Sequence, residues 1–178
     1  MLLSNETEIL RLIQSKETFD KGFSMLIEQY QRPLYQTIRR MVITHDDTDE
    51  ILQLTFIKAW KGLEKFRQEA SLGTWLYRIA VHVSLDFLAK KKRIAITSDI
   101  PDRISQSMDV SFSGTEIQRK LIEAMQSLPD KQRAVFNMRY FDEMTYESMA
   151  VITGTSIGAL KASYHLSVKK IEEFLKQD

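Results

Sequence analysis

Apolar residues return every three to four positions along nearly the whole chain, and only six glycines and three prolines interrupt them. That spacing stacks apolar side chains on one face of a helix, and no stretch alternates in the way a half-buried strand does. The chain is therefore expected to be all-α. Phe19, Phe23, Leu26, Ile27, Tyr30, Leu34 and Ile38 make one such stripe from about Thr18, with Pro33 expected to kink or break its helix. A short helix is expected before it, after Ser4. In THDDTDEILQLTFIKAWKGL, the acids Asp46, Asp47, Asp49 and Glu50 stand in or just before a first turn, where negative charge complements the helix dipole. Leu52, Phe56, Ala59 or Trp60, and Leu63 form the expected buried side of that helix. A loop over about 64–73 follows, and Ser71 or Thr74 is placed to cap the next helix, whose inward face is Leu76, Ala80, Val83 and Phe87.

From Ile94 to Gly114 the pattern collapses into ITSDIPDRISQSMDVSFSG, rich in Ser and Asp with isolated apolar residues. Such a segment cannot bury enough surface to order itself, so it reads as a flexible linker. Two small helical domains are expected, 1–95 and 115–178, joined by a linker over 96–114. The second domain divides into four helices, 115–128, 130–141, 145–153 and 156–175. Pro129, the turn Asp142-Glu143-Met144, and Gly154 separate them.

Composition narrows the function. The 178 residues carry a formal charge of +1, so any nucleic-acid surface must come from local clustering. Residues 1–95 hold 15 Lys/Arg against 12 Asp/Glu, including the unbroken run Lys90, Lys91, Lys92 and Arg93, whereas the residues from Glu116 onward hold nine of each. The absence of cysteine removes disulfides, thiolate metal sites and cysteine nucleophiles. No secretory leader and no run of 18 uncharged apolar residues is present, so an unsecreted cytoplasmic protein without membrane contact of its own is expected. An enzyme is not expected either. His45, His82 and His165 lie in separate elements, no glycine-rich phosphate loop occurs, and no residues stand at the spacing of a metal or cofactor site.

The stretch TYESMAVITGTSIGALKASYHLSVKK has the parts of a helix-turn-helix. Met149, Ala150 and Ile152 pack the first helix, Gly154 makes the turn, and Thr155 or Ser156 caps the second. On that second helix Ile157, Leu160, Tyr164, Val168, Ile171 and Leu175 share one side. Gly158, Ala159, Ala162, His165, Leu166 and Lys169 fall opposite, where small residues admit a close approach to DNA. By pattern alone this pair serves equally well as a DNA reader or as part of a small bundle.

The first half supplies context. DDTDEILQLTFIKAWKGLEKFRQEASLGTWLYRIAVHVSLDFLAKKKR resembles the second conserved region of bacterial RNA polymerase sigma factors of the extracytoplasmic-function (ECF) group. LIEAMQSLPDKQRAVFNMRYFDEMTYESMAVITGTSIGALKASYHLSVKKIEEFL is similar to their fourth region, and the motifs come in the family's order. The resemblance implies a promoter-specificity subunit that binds core RNA polymerase and promoter DNA, catalyses nothing and is held inactive by an anti-sigma protein. It also implies roles for residues. Asp46, Asp49, Glu50, Gln53 and Lys58 would dock on the clamp helices of the polymerase's largest subunit. Phe66, Arg67, Trp75, Tyr77, Arg78, His82, Lys90, Lys91, Lys92 and Arg93 would hold the melted minus-10 strand, which needs stacking surfaces and cations. Ser156, Ala159, Lys161, Ala162, Ser163, His165 and Lys169 would read the minus-35 duplex. His82 stands where the family pattern usually has Asn, and Ala162-Ser163 replace the Ser-Arg that usually follows Lys161. A stand-alone helix-turn-helix regulator would leave the 46–60 string and the 67–93 block without a task, and a helical protein-binding adaptor would need no DNA-reading face.

Overall fold

The computed structural model describes residues 2–97 and 116–176. Their regular structure is entirely helical: α1 (Leu2–Ile13), α2 (Phe19–Val42), α3 (His45–Leu63), α4 (Leu72–Thr97), α5 (Glu116–Gln126), α6 (Asp130–Tyr140), α7 (Tyr146–Thr153) and α8 (Ile157–Leu175). The expected linker lies outside the described residues except at its start. There α4 runs on to Thr97 instead of ending near Ile94.

Helix starts follow from short polar side chains. Thr44 Oγ1 accepts from the Asp47 N–H at 3.2 Å and Ser71 Oγ from Thr74 at 3.1 Å, so Ser71 rather than Thr74 caps α4. Thr145 Oγ1 accepts from Ser148 at 3.2 Å and Ser156 Oγ from Ala159 at 3.3 Å. Each such cap stabilises its helix by about 1 kcal/mol. Gly154 ends α7 at φ 65°, a left-handed conformation that a Cβ disfavours, and its N–H donates to the Ala150 carbonyl at 2.9 Å.

Two expectations about local structure fail for tertiary reasons. Pro33 sits inside an unbroken α2. The helix is held on both sides of it by Leu26, Leu34, Ile38 and Met41, none more than 1% exposed, and that burial outweighs the roughly 3 kcal/mol a mid-helix proline costs. The buried face of α3 is Thr48, Ile51, Thr55, Ala59 and Leu63, while Leu52 and Phe56 are only half-buried and Trp60 is exposed. Two threonines tolerate burial there because each hydroxyl donates to a carbonyl one turn back, Thr48 to Thr44 at 2.6 Å and Thr55 to Ile51 at 2.8 Å. Smaller differences occur on α4 and α8, where Phe87 is half-buried and Leu175 is exposed.

Helices α1–α4 pack as one bundle around Ile9, Leu26, Ile38, Ile51, Leu72 and Leu76, all fully buried. The α1–α2 contact needs Gly22: a Cβ there would lie 2.8 Å from Ile13 Cγ2 and 2.9 Å from Leu12 Cβ. Gly22→Ala is accordingly expected to destabilise the protein by about 1–3 kcal/mol, read as a lower midpoint in urea unfolding. An unchanged midpoint would show that α1 is not seated as described.

Helices α5, α6 and α8 enclose a second cluster of Ala124, Met125, Leu128, Phe136 and Ile171. α7 and α8 form the helix-turn-helix, with Met149, Ile152 and Leu160 at most 1% exposed. The two domains also pack on each other. α7 lies against α4, α6 against α2 and α4, and a buried apolar cluster runs through both. Polar contacts bind the junction: Thr37 Oγ1 donates to Asp142 Oδ2 at 2.9 Å, Arg40 Nη1 to Asp142 Oδ1 at 3.0 Å, and Lys92 Nζ to Asp130 Oδ2 at 2.7 Å. No described helix is long and apolar enough to cross a membrane.

Candidate nucleic-acid interface

The second helix of the helix-turn-helix presents the face its spacing predicts. Gly158, Ala159, Ala162, His165, Leu166 and Lys169 are all exposed, as are Ser156 and Lys161, and Ser163 is half-buried. Ser156 spends one oxygen lone pair on its cap but keeps its hydroxyl proton for an outside acceptor. Lys161 Nζ lies 5.6 Å from the Tyr146 ring centroid and the Arg139 guanidinium 5.2 Å from the same ring, which steadies the angle between α7 and α8. Lys169 has Glu173 at 3.9 Å, both exposed, so that pairing is weak and readily exchanged for a phosphate. Leu166, 48% exposed on the same face, is not among the readers that the resemblance implies. An apolar side chain there suits a thymine methyl group.

The second face runs along α4 and the loop before it. Arg67, Arg78, His82 and Asp86 are exposed, or nearly so, and Arg78, His82 and Asp86 follow one another at single-turn intervals. Phe66 and Trp75 are half-buried and pack together, centroids 5.1 Å apart, with Trp75 also lying over Gly62. They form the apolar edge of the loop, each with part of its ring accessible. Beneath the loop, Glu6 of α1 accepts from the Gly73 N–H at 3.1 Å and the Tyr30 hydroxyl packs on Gly73. Burial, reinforced by Glu6, pushes the Tyr30 phenol up to about 12. The loop therefore rests on a fixed support.

Not every expected residue joins this face. Tyr77 is half-buried and turned toward Thr37 and Asp142 at the domain junction, where burial and the Asp142 charge raise its pKa. Among the cations, Lys90 is exposed, but Lys91 pairs with Asp47 at 2.7 Å and Lys92 with Asp130 at 2.7 Å. Asp130 belongs to the other domain, a pairing that no local spacing announces.

The third face is on α3. Asp46, Asp49, Glu50 and Gln53 are exposed on one side of the helix, and Ile57 and Trp60 continue that side, 50% and 42% exposed. Trp60 is held edge-on by Phe19 and Phe23, each centroid 4.7 Å away. Lys58 is exposed but lies about a third of a turn from this row. Spacing offers Trp60 as a core residue and gives Ile57 no role. The signal that could have found the pair is that α3 carries more apolar residues than one buried stripe needs.

These faces sit within two known sequence families. The family described as Sigma-70 region 2 matches residues 26–94, and Sigma-70, region 4 matches residues 118–171. The chain belongs to the ECF sigma factors. Its relatives include the ECF RNA polymerase sigma-E factor of Haemophilus influenzae, 26% identical over 85% of this chain and 86% of that protein. The Escherichia coli (strain K12) protein of the same name is 28% identical over 80% of each. Among solved structures, the sigma factor RpoE in complex with the anti-sigma factor NepR from Bartonella quintana superposes with a TM-score of 0.71, covering 89% of this chain and 99% of that one at 22% identity. CnrH in complex with the cytosolic domain of CnrY gives 0.71 over 98% of both chains at 18% identity. This sigma factor binds core RNA polymerase and promoter DNA and directs promoter-specific initiation.

Proposed function

We propose that the work is divided among three faces. α3 docks on the clamp helices of the polymerase's largest subunit through Asp46, Asp49, Glu50 and Gln53, with Ile57 and Trp60 as the apolar centre of the contact and Lys58 at its margin. Residues 1–95 form the unit that also captures the minus-10 strand, with Arg67, Arg78, His82 and Lys90 on bases and phosphates and the accessible edges of Phe66 and Trp75 as stacking surface. Lys91, Lys92 and Arg93 add phosphate contacts once the acids that hold Lys91 and Lys92 are exchanged for DNA. Residues 115–178, beyond the 96–114 linker, read the minus-35 duplex through Ser156, Ala159, Lys161, Ala162, Ser163, His165 and Lys169. The exposure of most of these side chains along α3, along α4 and the loop before it, and along α8 is the observation that carries the reading.

The protein catalyses no reaction itself and works in the bacterial cytoplasm, where the polymerase is. An anti-sigma protein is its natural inhibitor, by analogy with the solved relatives seen with NepR and with CnrY. The exposed Ile57–Trp60 surface is the place such a partner gains most by covering.

In vitro transcription with bacterial core polymerase tests the whole assignment. Initiation at a discrete promoter that depends on this chain supports it. Glu50→Lys combined with Gln53→Ala is expected to weaken core binding about tenfold with no loss of thermal stability, since both positions are exposed. Unchanged core affinity in a pull-down would remove α3 from the interface.

A further inference from the structure

The outward face of α8 carries one large apolar side chain that none of the proposed DNA contacts uses. Leu166 is 48% exposed. A single exposed leucine needs no explanation on an ordinary surface, but its place here is particular. It follows Ala159 by seven residues and Ala162 by four, so the three share one strip of the helix, turned away from the buried Leu160, Ser167 and Ile171. Side chains on a helix lean toward its N-terminus, so Leu166 covers the turn that holds Ala162, and neither alanine has atoms beyond Cβ to compete for that space. A recognition helix reads base edges chiefly with its N-terminal turns. Leu166 therefore carries its branched apolar end back toward the part of α8 that enters the groove.

The polar groups around it discriminate poorly between bases. The commonest specific contact to DNA is Arg or Lys bidentate to guanine, and no Arg occurs between Ser156 and Lys170. Lys161 leans over the Tyr146 ring of α7, with Nζ 5.6 Å from its centroid, and sits about 140° round the helix from Leu166. Lys169 stands further from the N-terminal end and has Glu173 at 3.9 Å. The hydroxyls of Ser156 and Ser163 both donate and accept, as does a neutral His165 ring, so each of them suits more than one base. A thymine C5-methyl, by contrast, is the group in the major groove that a hydrocarbon side chain recognises, and it distinguishes A·T from T·A and both from the G·C pairs.

We propose that Leu166 is a specificity-determining residue of α8, selecting thymine at one position of the minus-35 element by packing on its C5-methyl group. This rests on the assignment of α8 to the minus-35 duplex. Within that assignment it supplies the base chemistry that the missing arginine does not: an A·T pair held by its methyl in place of a guanine held by O6 and N7.

The test uses holoenzyme reconstituted from core polymerase and the full chain, with promoter templates randomised over the minus-35 element. Selected templates should carry thymine at one position at least, on either strand. Deoxyuridine there removes only the methyl group and leaves every hydrogen-bonding edge in place, and it should lower promoter-complex formation by the parent about fivefold. Leu166→Ala should bind the thymine template about tenfold less well than the parent, and should bind the thymine and deoxyuridine templates equally. Leu166→Met, which keeps an apolar side chain of similar volume, should retain the preference. Because position 166 is exposed, neither substitution should move the melting temperature by more than about a degree. Selection of an element without thymine, indifference of the parent to deoxyuridine at every thymine of the element, or a Leu166→Ala protein as sensitive to it as the parent overturns the proposal. The two failures are separable. If α8 does not read the duplex, Ala162→Glu transcribes as well as the parent; if α8 reads it without the methyl contact, Ala162→Glu is inactive while deoxyuridine is tolerated throughout.

Discussion

Replacing Arg67, Arg78 and His82 together by alanine is expected to cut transcription from a cognate promoter about 100-fold, with core binding and the melting temperature nearly unchanged. All three side chains reach solvent, none supports the apolar core, and α4 stays anchored by Leu72, Leu76 and Ala80 beneath them. The loss therefore falls on contacts to DNA. Two guanidinium contacts to phosphate or base and one ring able to stack or hydrogen-bond sum to roughly 3 kcal/mol, which is the factor stated. The measurement is open-complex formation with reconstituted holoenzyme on a duplex template and on one already melted at the minus-10 element. Full activity on both templates would place strand capture elsewhere. Rescue on the melted template alone would assign the three residues to opening the duplex rather than to holding the strand.

Two substitutions on α8 should part stability from recognition. Leu160, 1% exposed, joins α8 to the buried cluster that runs through both domains. Leu160→Ala should lose about 3 kcal/mol and lower the melting temperature by roughly 10 °C. Ala162, two residues on, is exposed on the outer face. Ala162→Glu should leave the melting temperature within about a degree and abolish activation of promoters that depend on a minus-35 element, because a carboxylate is brought against phosphate and base edges. Calorimetry and transcription read on the same two proteins decide the matter. Equal activity of Ala162→Glu and parent on a minus-35-dependent promoter would remove this face from recognition.

The helix-turn-helix is legible in residue order almost throughout. Gly154 as the turn, Leu160 and Ile171 facing inward, and a cap at Thr155 or Ser156, which the structure gives to Ser156, all depend on neighbours within a turn or two. The α3 helix is legible only in part. Its acids fall outside the apolar stripe as expected, but the true inner face uses Thr48 and Thr55. A hydropathy pattern cannot anticipate two hydroxyls that satisfy themselves on their own helix. Trp60 consequently reads as a candidate for the core although it faces out.

The caps at Thr44, Ser71 and Ser156, the outward face of α8 and membership of the ECF sigma factors follow from residue order, because periodicity, capping and motif order act over short separations. Tertiary packing decided the rest. It carried α2 through Pro33, turned Tyr77 from the strand-binding face to the domain junction, and engaged Lys91 and Lys92 with acids far away in the chain. Most of all it brought Asp142 onto Thr37 and Arg40 across more than a hundred residues. Which helix faces meet at such distances depends on how two finished domains fit together, and no local preference encodes that fit.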